Sequence, residues 1–173
     1  MPVREILRLG NPALRVCCEP VRSFNTEELN ATVTDLMDTL EDAQRRLGFG
    51  RAIASPQIGG TKRVLVVKSE EPLVLVNPRI VRRSRKRITL WDDCFSLPSL
   101  LVKVRRNLSV EVRYQDPEGR RHTLRAEGGL SELLQHEIDH LDGILMIDRA
   151  IDSRHIVLRE EYEKWPHHFQ VAM

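Results

Sequence analysis

The sequence lacks the features of an exported, membrane-spanning or disulfide-stabilised protein. It has three cysteines in 173 residues, an odd number that is too small for a disulfide framework and that favours a reducing compartment. No apolar run approaches the roughly 18 residues that a membrane-spanning helix needs. Arg4, Glu5 and Arg8 interrupt the apolar residues near the start, unlike a secretory signal peptide. We therefore expect a cytoplasmic protein without a membrane partner.

The sequence also lacks an excess of one charge. Its 27 basic and 25 acidic residues leave a formal net charge of +2, which excludes a protein that mainly coats nucleic acid, and we expect no DNA partner. Residues 79–87 are the exception, with basic residues at 79, 82, 83, 85, 86 and 87. We interpret them as a solvated strand or loop edge, because no aromatic residues lie among them to stack on bases. Contact of residues 82–87 with RNA phosphates is the alternative.

The length and the pattern of apolar residues predict one domain of the α+β class. Hydrophobic residues make up 41% of the chain and charged residues 30%, as in a globular domain of this size. Helical spacing predicts an amphipathic helix over residues 26–47, and glycines predict a loop over 48–60. A second helix is predicted over 129–142 and a third, more polar one over 152–164. Short strands are predicted over residues 62–67, 73–76, 87–91, 109–114 and 122–126.

Residues 136–140, with the sequence HEIDH, carry the strongest chemical signal. Two histidines four residues apart share one face of a helix, because 3.6 residues complete a turn. Both can bind one metal ion, and the glutamate beside the first can reach a water on that ion. Apolar neighbours indicate that this helix is buried, and a buried histidine pair needs a partner such as a metal. The alternative is two surface histidines and an acid on a solvated helix.

Two histidines leave a catalytic site one protein ligand short, since three ligands and a water are usual. A histidine six residues after His140 would complete one known pattern, but Met146 occupies that position. A thiolate is a strong ligand for soft or borderline metals, so Cys94 is one candidate, although most free cysteines are small buried hydrophobes. The other candidates are three downstream glutamates: Glu160, Glu161 and Glu163.

Three ordered segments resemble the sequence blocks of the peptide deformylase family. Residues 50–57, GRAIASPQ, resemble G-x-G-φ-A-A-x-Q, where φ is apolar; residues 92–96, DDCFS, resemble E-G-C-L-S; residues 135–140 match Q-H-E-x-D-H. Residues 11–15 and 141–145 also fit, so the resemblance covers essentially the whole chain. It implies a single peptide deformylase-like catalytic domain over residues 1–173. The implied fold is α+β, with small, mostly antiparallel sheets packed around a central HExxH helix.

The resemblance implies a metal-dependent hydrolase, a peptide deformylase. Such an enzyme removes the formyl group from the N-terminal formylmethionine of nascent peptides, or from a related formylated amine, and releases formate. The implied metal ligands are Cys94, His136 and His140, with water in the fourth position. Family members use Fe²⁺ natively, and Zn²⁺, Ni²⁺ or Co²⁺ can occupy the site. The implied setting is the bacterial cytoplasm, with the ribosome as a place where formylated nascent peptides are met.

The resemblance also assigns roles to residues around the metal. Glu137 would accept the water proton and later deliver it to the leaving amine. Gln57 and the backbone N–H of Phe95 would stabilise the negative charge that develops on the formyl oxygen. The implied substrate-binding residues are Gly50, Arg51, Ala52, Glu132 and Leu133.

Several residues differ from the family pattern near the expected substrate cleft. Ala52 replaces a glycine, and Asp92 replaces a glutamate. We expect Asp92 to pair with Arg106. Arg51 and Glu132 carry charges where the family has an aliphatic pocket for methionine. We hypothesise that these two residues meet near the mouth of the pocket and favour a polar first residue of the substrate. Further differences are Ser55, Pro56, Asp93, Phe95 and Leu101, the last at a position where a substrate-contacting arginine is common.

Two alternatives to a deformylase follow from the same residues. One is a zinc peptidase of the HExxH type, in which a downstream glutamate is the third ligand and Cys94 is a spectator. The other is a catalytically weak or inactive deformylase-like protein that binds metal or peptide, which the altered glycine and acidic positions favour. We interpret Cys17 and Cys18 as buried and reduced.

Overall fold

A largely irregular segment precedes one long helix in the N-terminal part of the fold. In the computed structural model, which describes residues 3–170, a 3₁₀ turn over Pro12–Arg15 precedes helix α1 over Glu27–Leu47. The side chain of Thr26 caps this helix by accepting a hydrogen bond from the backbone N–H of Leu29. Gly48 ends it in the left-handed conformation, with φ at 77°. The helix predicted over residues 26–47 is therefore confirmed.

Eight strands in residues 3–170 form two antiparallel sheets. The strands are β1 (Ala52–Ala54), β2 (Val64–Val67), β3 (Leu73–Arg83), β4 (Arg87–Asp92), β5 (Leu100–Asn107), β6 (Ser109–Gln115), β7 (Arg121–Glu127) and β8 (Ile156–Leu158). One sheet has the order β1-β2-β3-β6-β7 and the other the order β4-β5-β8. Strand β1 is thus an edge strand, and it pairs with β2 through Ile53 and Val66. The turn over residues 116–119 joins β6 to β7.

Helix α2 (Gly128–Leu141) packs against strands of both sheets. All its residues from 131 to 141 are buried, including every charged or polar residue of the HExxH motif. Two short helices, α3 (Arg159–Lys164) and α4 (Pro166–Gln170), follow β8. The predicted α+β fold, with small antiparallel sheets around the HExxH helix, is confirmed. In the described residues, no helix combines the length and apolarity needed to cross a membrane.

The end of α2 is held against two other parts of the chain. The guanidinium of Arg63 donates hydrogen bonds to the carbonyl of Leu141 at 3.2 Å and to the carboxylate of Asp142 at 2.6 Å. Gly143 follows with φ at 73°, and a Cβ there would lie 2.6 Å from the carbonyl oxygen of Arg15. Glycine is therefore required both for the backbone conformation and for the close approach of the N-terminal segment.

Two sequence predictions of local structure are wrong, and the predicted strands do not include β5. Residues 48–60 are not a plain loop, since they contain β1 and a 3₁₀ turn over Ser55–Ile58. Residues 152–164 are not one helix: Ser153–His155 form a 3₁₀ turn and β8 pairs with β5 before α3 begins. In both wrong predictions, pairing with another strand decides the conformation, whereas local spacing suggested loop or helix.

Two further differences concern the basic segment and the cysteines. The strand predicted over residues 73–76 continues to Arg83, so the first half of the basic segment lies in β3, which pairs with both β2 and β6. The second half reaches Arg87 at the start of β4, an edge strand. Cys18 is buried as predicted, but Cys17 is exposed.

Candidate active site

Three side chains from two separate elements converge on one point. Cys94 lies just after β4, and His136 and His140 lie on successive turns of α2. One ligand atom from each of these residues lies within 4.8 Å of the other two, and all three residues are buried. The distance from Cys94 Sγ to His140 Nε2 is 3.2 Å. A thiolate and two imidazole nitrogens so arranged match the donor set of zinc or iron sites.

The glutamates considered as alternative third ligands lie elsewhere. Glu160, Glu161 and Glu163 are on α3, outside the metal-binding group found in residues 3–170. Glu161 instead pairs with Lys164 at 2.6 Å. The geometry therefore favours the sulfur over a downstream carboxylate.

A chain of ion pairs fixes the orientation of His136. Its Nδ1 lies 2.9 Å from both carboxylate oxygens of Asp92, which leaves Nε2 for a metal. Arg106 donates to Asp92 at 2.8 Å and to Asp139 at 3.0 Å, so the expected pairing of Asp92 with Arg106 is confirmed. Arg149 donates to the other oxygen of Asp139 at 2.7 Å. A carboxylate behind a ligating histidine is the usual means of setting its tautomer and ring orientation.

The electrostatics of the group separate the two histidines. Burial opposes the charged form of both imidazoles, and it holds the pKa of His140 well below its ordinary value. At His136 the carboxylate of Asp92 overcomes the burial and raises the pKa. Burial would also raise the pKa of Asp92, but the charges of His136 and Arg106 hold it below its usual range. Asp92 is therefore an anion that stabilises positive charge at the His136 ring.

Glu137 is a buried carboxylate with one free oxygen. Its Oε2 has no hydrogen-bond partner among the described residues, and the same holds for Nδ1 of His140. Burial raises the pKa of Glu137 to about 7. A bound cation would lower that pKa again by favouring the carboxylate. A buried carboxylate oxygen without a partner is costly unless a ligand, an ion or water satisfies it, so Glu137 fits a metal site with water beside it.

Gln57 presents its amide to the same group of atoms. Its Oε1 accepts a hydrogen bond from the backbone N–H of Ala54 at 2.9 Å, which fixes the side chain. Its Nε2 then lies 3.7 Å from Cys94 Sγ and 3.3 Å from Ser96 Oγ. The amide nitrogen is thus a donor fixed beside the expected metal position.

A cavity of about 110 Å³ opens beside these residues. Its walls include every residue to which the sequence assigned a role except His140: Gly50, Arg51, Ala52, Gln57, Cys94, Phe95, Glu132, Leu133, His136 and Glu137. His140 lies behind them, 1% exposed. The structure therefore brings the predicted residues together around one opening.

Phe95 forms part of the wall through its ring. The ring stacks on Phe49 with centroids 5.5 Å apart. A Cβ on Gly50, whose φ is 95°, would lie only 2.0 Å from the ring. Gly50 therefore allows both a backbone conformation and a close approach that other residues would not.

The two charged residues at the cavity mouth contact each other. An Arg51 nitrogen donates to a carboxylate oxygen of Glu132, and a second donates to the carbonyl of Gly129 at 3.1 Å. The hypothesis that Arg51 and Glu132 meet is confirmed. Burial raises the pKa of Glu132, and Arg51 opposes that shift.

Sequence reasoning missed two residues of the cavity wall, and a third that contacts the wall, which only tertiary contacts reveal. Phe49 and Trp91 line the cavity. Arg159, from α3, stacks its guanidinium over the Phe49 ring at 4.1 Å and donates to Asp93 at 3.1 Å. Leu101, by contrast, is buried opposite Val157 of β8. No local signal marks Arg159, because it reaches the rim from a segment more than 60 residues after Asp93.

Comparison with known proteins decides the family. The polypeptide deformylase family model matches residues 3–155. The chain belongs to this family. A peptide deformylase of Desulforudis audaxviator is 40% identical over 152 residues, which cover 87% of this chain and 95% of that protein. A peptide deformylase-like protein of Brucella melitensis is 36% identical, and the match covers 95% of this chain and 98% of that protein.

Solved structures of the deformylase family share the fold. The crystal structure of a peptide deformylase from Synechococcus elongatus in complex with actinonin superposes with a TM-score of 0.83 at 34% sequence identity. The match covers 95% of this chain and 86% of that one. Deformylases depend on a metal ion, in keeping with the cysteine and histidine group described above.

Proposed function

We propose that this chain is a peptide deformylase that hydrolyses the formyl amide at the N-terminus of formylmethionyl peptides, releasing formate and a free amine. The observation that carries the proposal is the convergence of Cys94, His136 and His140 beside the free oxygen of Glu137. Hydrolysis of an amide needs an activated water, a base and donors for the developing charge. Residues of the right chemistry for each task line one cavity.

Cys94, His136 and His140 would hold one divalent ion. When bound, that ion supplies Lewis acidity and lowers the pKa of a water from 15.7 to about 7. Asp92 keeps the Nδ1 proton on His136, so that Nε2 is free to ligate. By analogy with the family the native ion is Fe²⁺, with Zn²⁺, Ni²⁺ or Co²⁺ as substitutes.

Glu137 acts as general base and then general acid. Its free Oε2 takes a proton from the attacking water, which adds to the formyl carbon. The same carboxyl group then delivers the proton to the amine nitrogen as the carbon–nitrogen bond breaks. The apolar neighbours of α2 exclude water from this carboxyl group. Its pKa is therefore raised by burial, and a nearby positive charge would lower it.

Gln57 and Phe95 would stabilise the negative charge on the formyl oxygen. The Gln57 amide is fixed through Ala54, so it does not reorganise when the charge develops. The backbone N–H of Phe95 follows Cys94 directly and is the second donor. Loss of one such donor costs about 2.7–4 kcal/mol of transition-state stabilisation in enzymes of this kind.

The peptide would bind along β1. This strand is an edge of its sheet, and an extended peptide can add to such an edge through backbone hydrogen bonds. Gly50, Arg51 and Ala52 lie on this path, and Leu133 and Glu132 form the opposite wall. Formylated nascent chains are the proposed substrates. We further propose that the chain acts as a single catalytic domain in the bacterial cytoplasm, meeting nascent chains near the ribosome.

The experiment is release of formate from formyl-Met-Ala-Ser by protein loaded anaerobically with Fe²⁺. We expect turnover, and a fall in kcat of at least about 100-fold in the Glu137→Gln variant with metal content unchanged. Glu163→Gln is the matched control, since Glu163 is an exposed residue of α3. Equal turnover by Glu137→Gln and wild type would contradict the role of Glu137.

The second candidate is a protein that binds formyl peptides without turning them over. The charged wall formed by Arg51 and Glu132, together with Ala52 on the peptide path, favours it. It requires that metal-loaded protein release no formate from any formylated peptide or amine while still binding one. Measured turnover on any of these substrates excludes this candidate.

A further inference from the structure

A second cavity, with a volume of about 250 Å³, lies on another face of α2. Five arginines contribute to its walls: Arg83, Arg87, Arg105, Arg106 and Arg149. They come from β3, β4, β5 and the segment after α2. We call this cavity the arginine pocket.

The arginine pocket has a local excess of positive charge. Its acidic wall residue, Asp139, is already shared between Arg106 and Arg149, at 3.0 and 2.7 Å. Asp92 accepts a hydrogen bond from the other terminal nitrogen of Arg106 at 2.8 Å. Within residues 3–170, Arg83, Arg87 and Arg105 make no ion pair with a carboxylate. Five arginines therefore line the pocket, and its one acidic wall residue is already paired.

The strand register forces two of these charges together. Arg87 lies opposite Asn107, and Thr89 lies opposite Arg105, in the β4–β5 pair. Alternation along each strand puts Arg87 and Arg105 on the same face as diagonal neighbours. Like charges at diagonal positions on one face repel each other. An anion between them would remove that repulsion.

A buried donor in the pocket wall also lacks a partner. Arg106 is 4% exposed, and its Nε has no hydrogen-bond partner among the described residues, although its two terminal nitrogens bind carboxylates. A buried, unsatisfied guanidinium nitrogen is costly. The two carboxylates hold this side chain in place in the wall of the pocket.

We infer that the arginine pocket binds a small phosphate-bearing anion, such as inorganic phosphate or pyrophosphate. Guanidinium forks match phosphate oxygens in geometry, and several of them compensate a multiply charged group. The pocket is too small for a folded partner, and its walls hold no aromatic residue for a base to stack on. These two properties favour a small anion over RNA.

The arginine pocket and the active-site cavity use different parts of α2. Gln135 and Asp139 line the pocket, whereas Glu132, His136 and Glu137 line the active-site cavity. Anion binding should therefore not compete with a formyl peptide. The inference is also independent of the deformylase proposal, because its measurement is binding and not turnover.

Isothermal titration calorimetry with metal-loaded full-length protein in low-salt buffer tests the inference. Pyrophosphate should bind with a stoichiometry near one, and inorganic phosphate should bind more weakly because it carries less charge. The double variant Arg87→Ala/Arg105→Ala should weaken pyrophosphate binding by at least about tenfold. The matched control, Arg45→Ala/Arg46→Ala, removes two exposed arginines at the end of α1 and should bind as wild type does.

Three outcomes would overturn the inference. The first is no pyrophosphate binding by wild-type protein. The second is an equal loss of binding in the control pair, which would show that net charge alone attracts the anion. The third is binding of a uridine oligonucleotide, but not of pyrophosphate, that the double variant abolishes, which would assign these arginines to RNA. Near-UV circular dichroism of each variant, unchanged from wild type, shows that the protein remains folded.

Discussion

Arg51 and Glu132 lie 81 residues apart in the chain and form an ion pair at the mouth of the active-site cavity. The pair joins the segment before β1 to the second turn of α2 and closes one wall of the cavity with polar atoms. Glu132 is 8% exposed. A buried carboxylate in this wall disfavours an apolar side chain, since contact with that side chain would take the charge further from water.

This ion pair predicts an unusual substrate preference. We expect the wild-type enzyme to accept formyl peptides with a polar first residue, such as formyl-Gln-Ala-Ser, nearly as well as formyl-Met-Ala-Ser. The double variant Arg51→Leu/Glu132→Leu should raise the kcat/KM ratio of the methionine over the glutamine peptide by about tenfold, because buried apolar contact replaces buried charge. Steady-state kinetics with the two peptides give the ratio.

A strong preference of wild-type protein for formyl-Met, left unchanged by the double variant, would contradict this prediction. Arg46→Leu/Glu41→Leu is a suitable control, since it removes one charge of each sign from α1, away from the cavity. The single variants should be worse than the double variant, because each leaves one charge without its partner.

Cys94 is predicted to be indispensable for metal binding. Replacement of the sulfur in Cys94→Ala leaves two imidazoles, which is too few for a stable site. We expect metal content, measured by atomic emission after gel filtration, to fall from about one ion per chain to less than a tenth. Cys17→Ala serves as the control, because Cys17 is exposed and outside the metal-binding group. Full metal content in Cys94→Ala would revive the glutamate-ligand alternative.

Asp92 is predicted to set metal affinity, whereas its neighbour Asp93 is not. In Asp92→Asn the charge that stabilises the His136 ring is lost, and changes of this kind typically weaken metal binding about 10- to 100-fold. Asp93→Asn should stay within about twofold of wild type, since Asp93 contacts Arg159 at the rim. Competition with a chelator measures both affinities. Equal weakening in the two variants would mean that net charge, not the contact with His136, matters.

Gly50→Ala is predicted to damage the active-site wall. The added methyl group would meet the Phe95 ring at 2.0 Å, so the ring and the backbone after Cys94 must shift. We expect a lower melting temperature and a lower kcat/KM than in Gly10→Ala, whose φ of 101° imposes similar backbone strain but whose Cβ meets nothing within 4 Å. Adding Phe95→Leu to Gly50→Ala should recover part of the loss. No difference between the two glycine variants would refute the steric argument.

Local sequence signals were sufficient for the elements that form by their own pattern. The cap at Thr26 and the helical spacing that follows define α1, and the apolar residues around His136 and His140 define α2 as a buried helix. Spacing on a helix brings two ligands together whatever surrounds it. The family blocks then singled out Cys94 and Gln57, which no periodicity places near the histidines.

Sequence patterns failed where distant pairing decides the structure. Strand β8 forms because residues 156–158 pair with β5. Strand β1 forms inside a glycine-rich segment because it pairs with β2. The same limit hid Arg159 and the arginine pocket, whose residues come from segments that are apart in the chain. The sequence predicts that residues 79–87 form a solvated edge. It does not indicate that Arg105 and Arg149 line the same pocket as Arg83 and Arg87.

The sequence by itself determined the chemistry available: a buried pair of imidazoles with a glutamate, a cysteine for the third ligand, and the family to which the chain belongs. The tertiary structure decided which charges meet, since it pairs Arg51 with Glu132, Asp92 with Arg106, and gathers five arginines behind α2. The physical reason is the separation along the chain of the residues that meet. Spacing along a helix or strand positions residues a few places apart, whereas a contact across 80 residues depends on how whole elements pack.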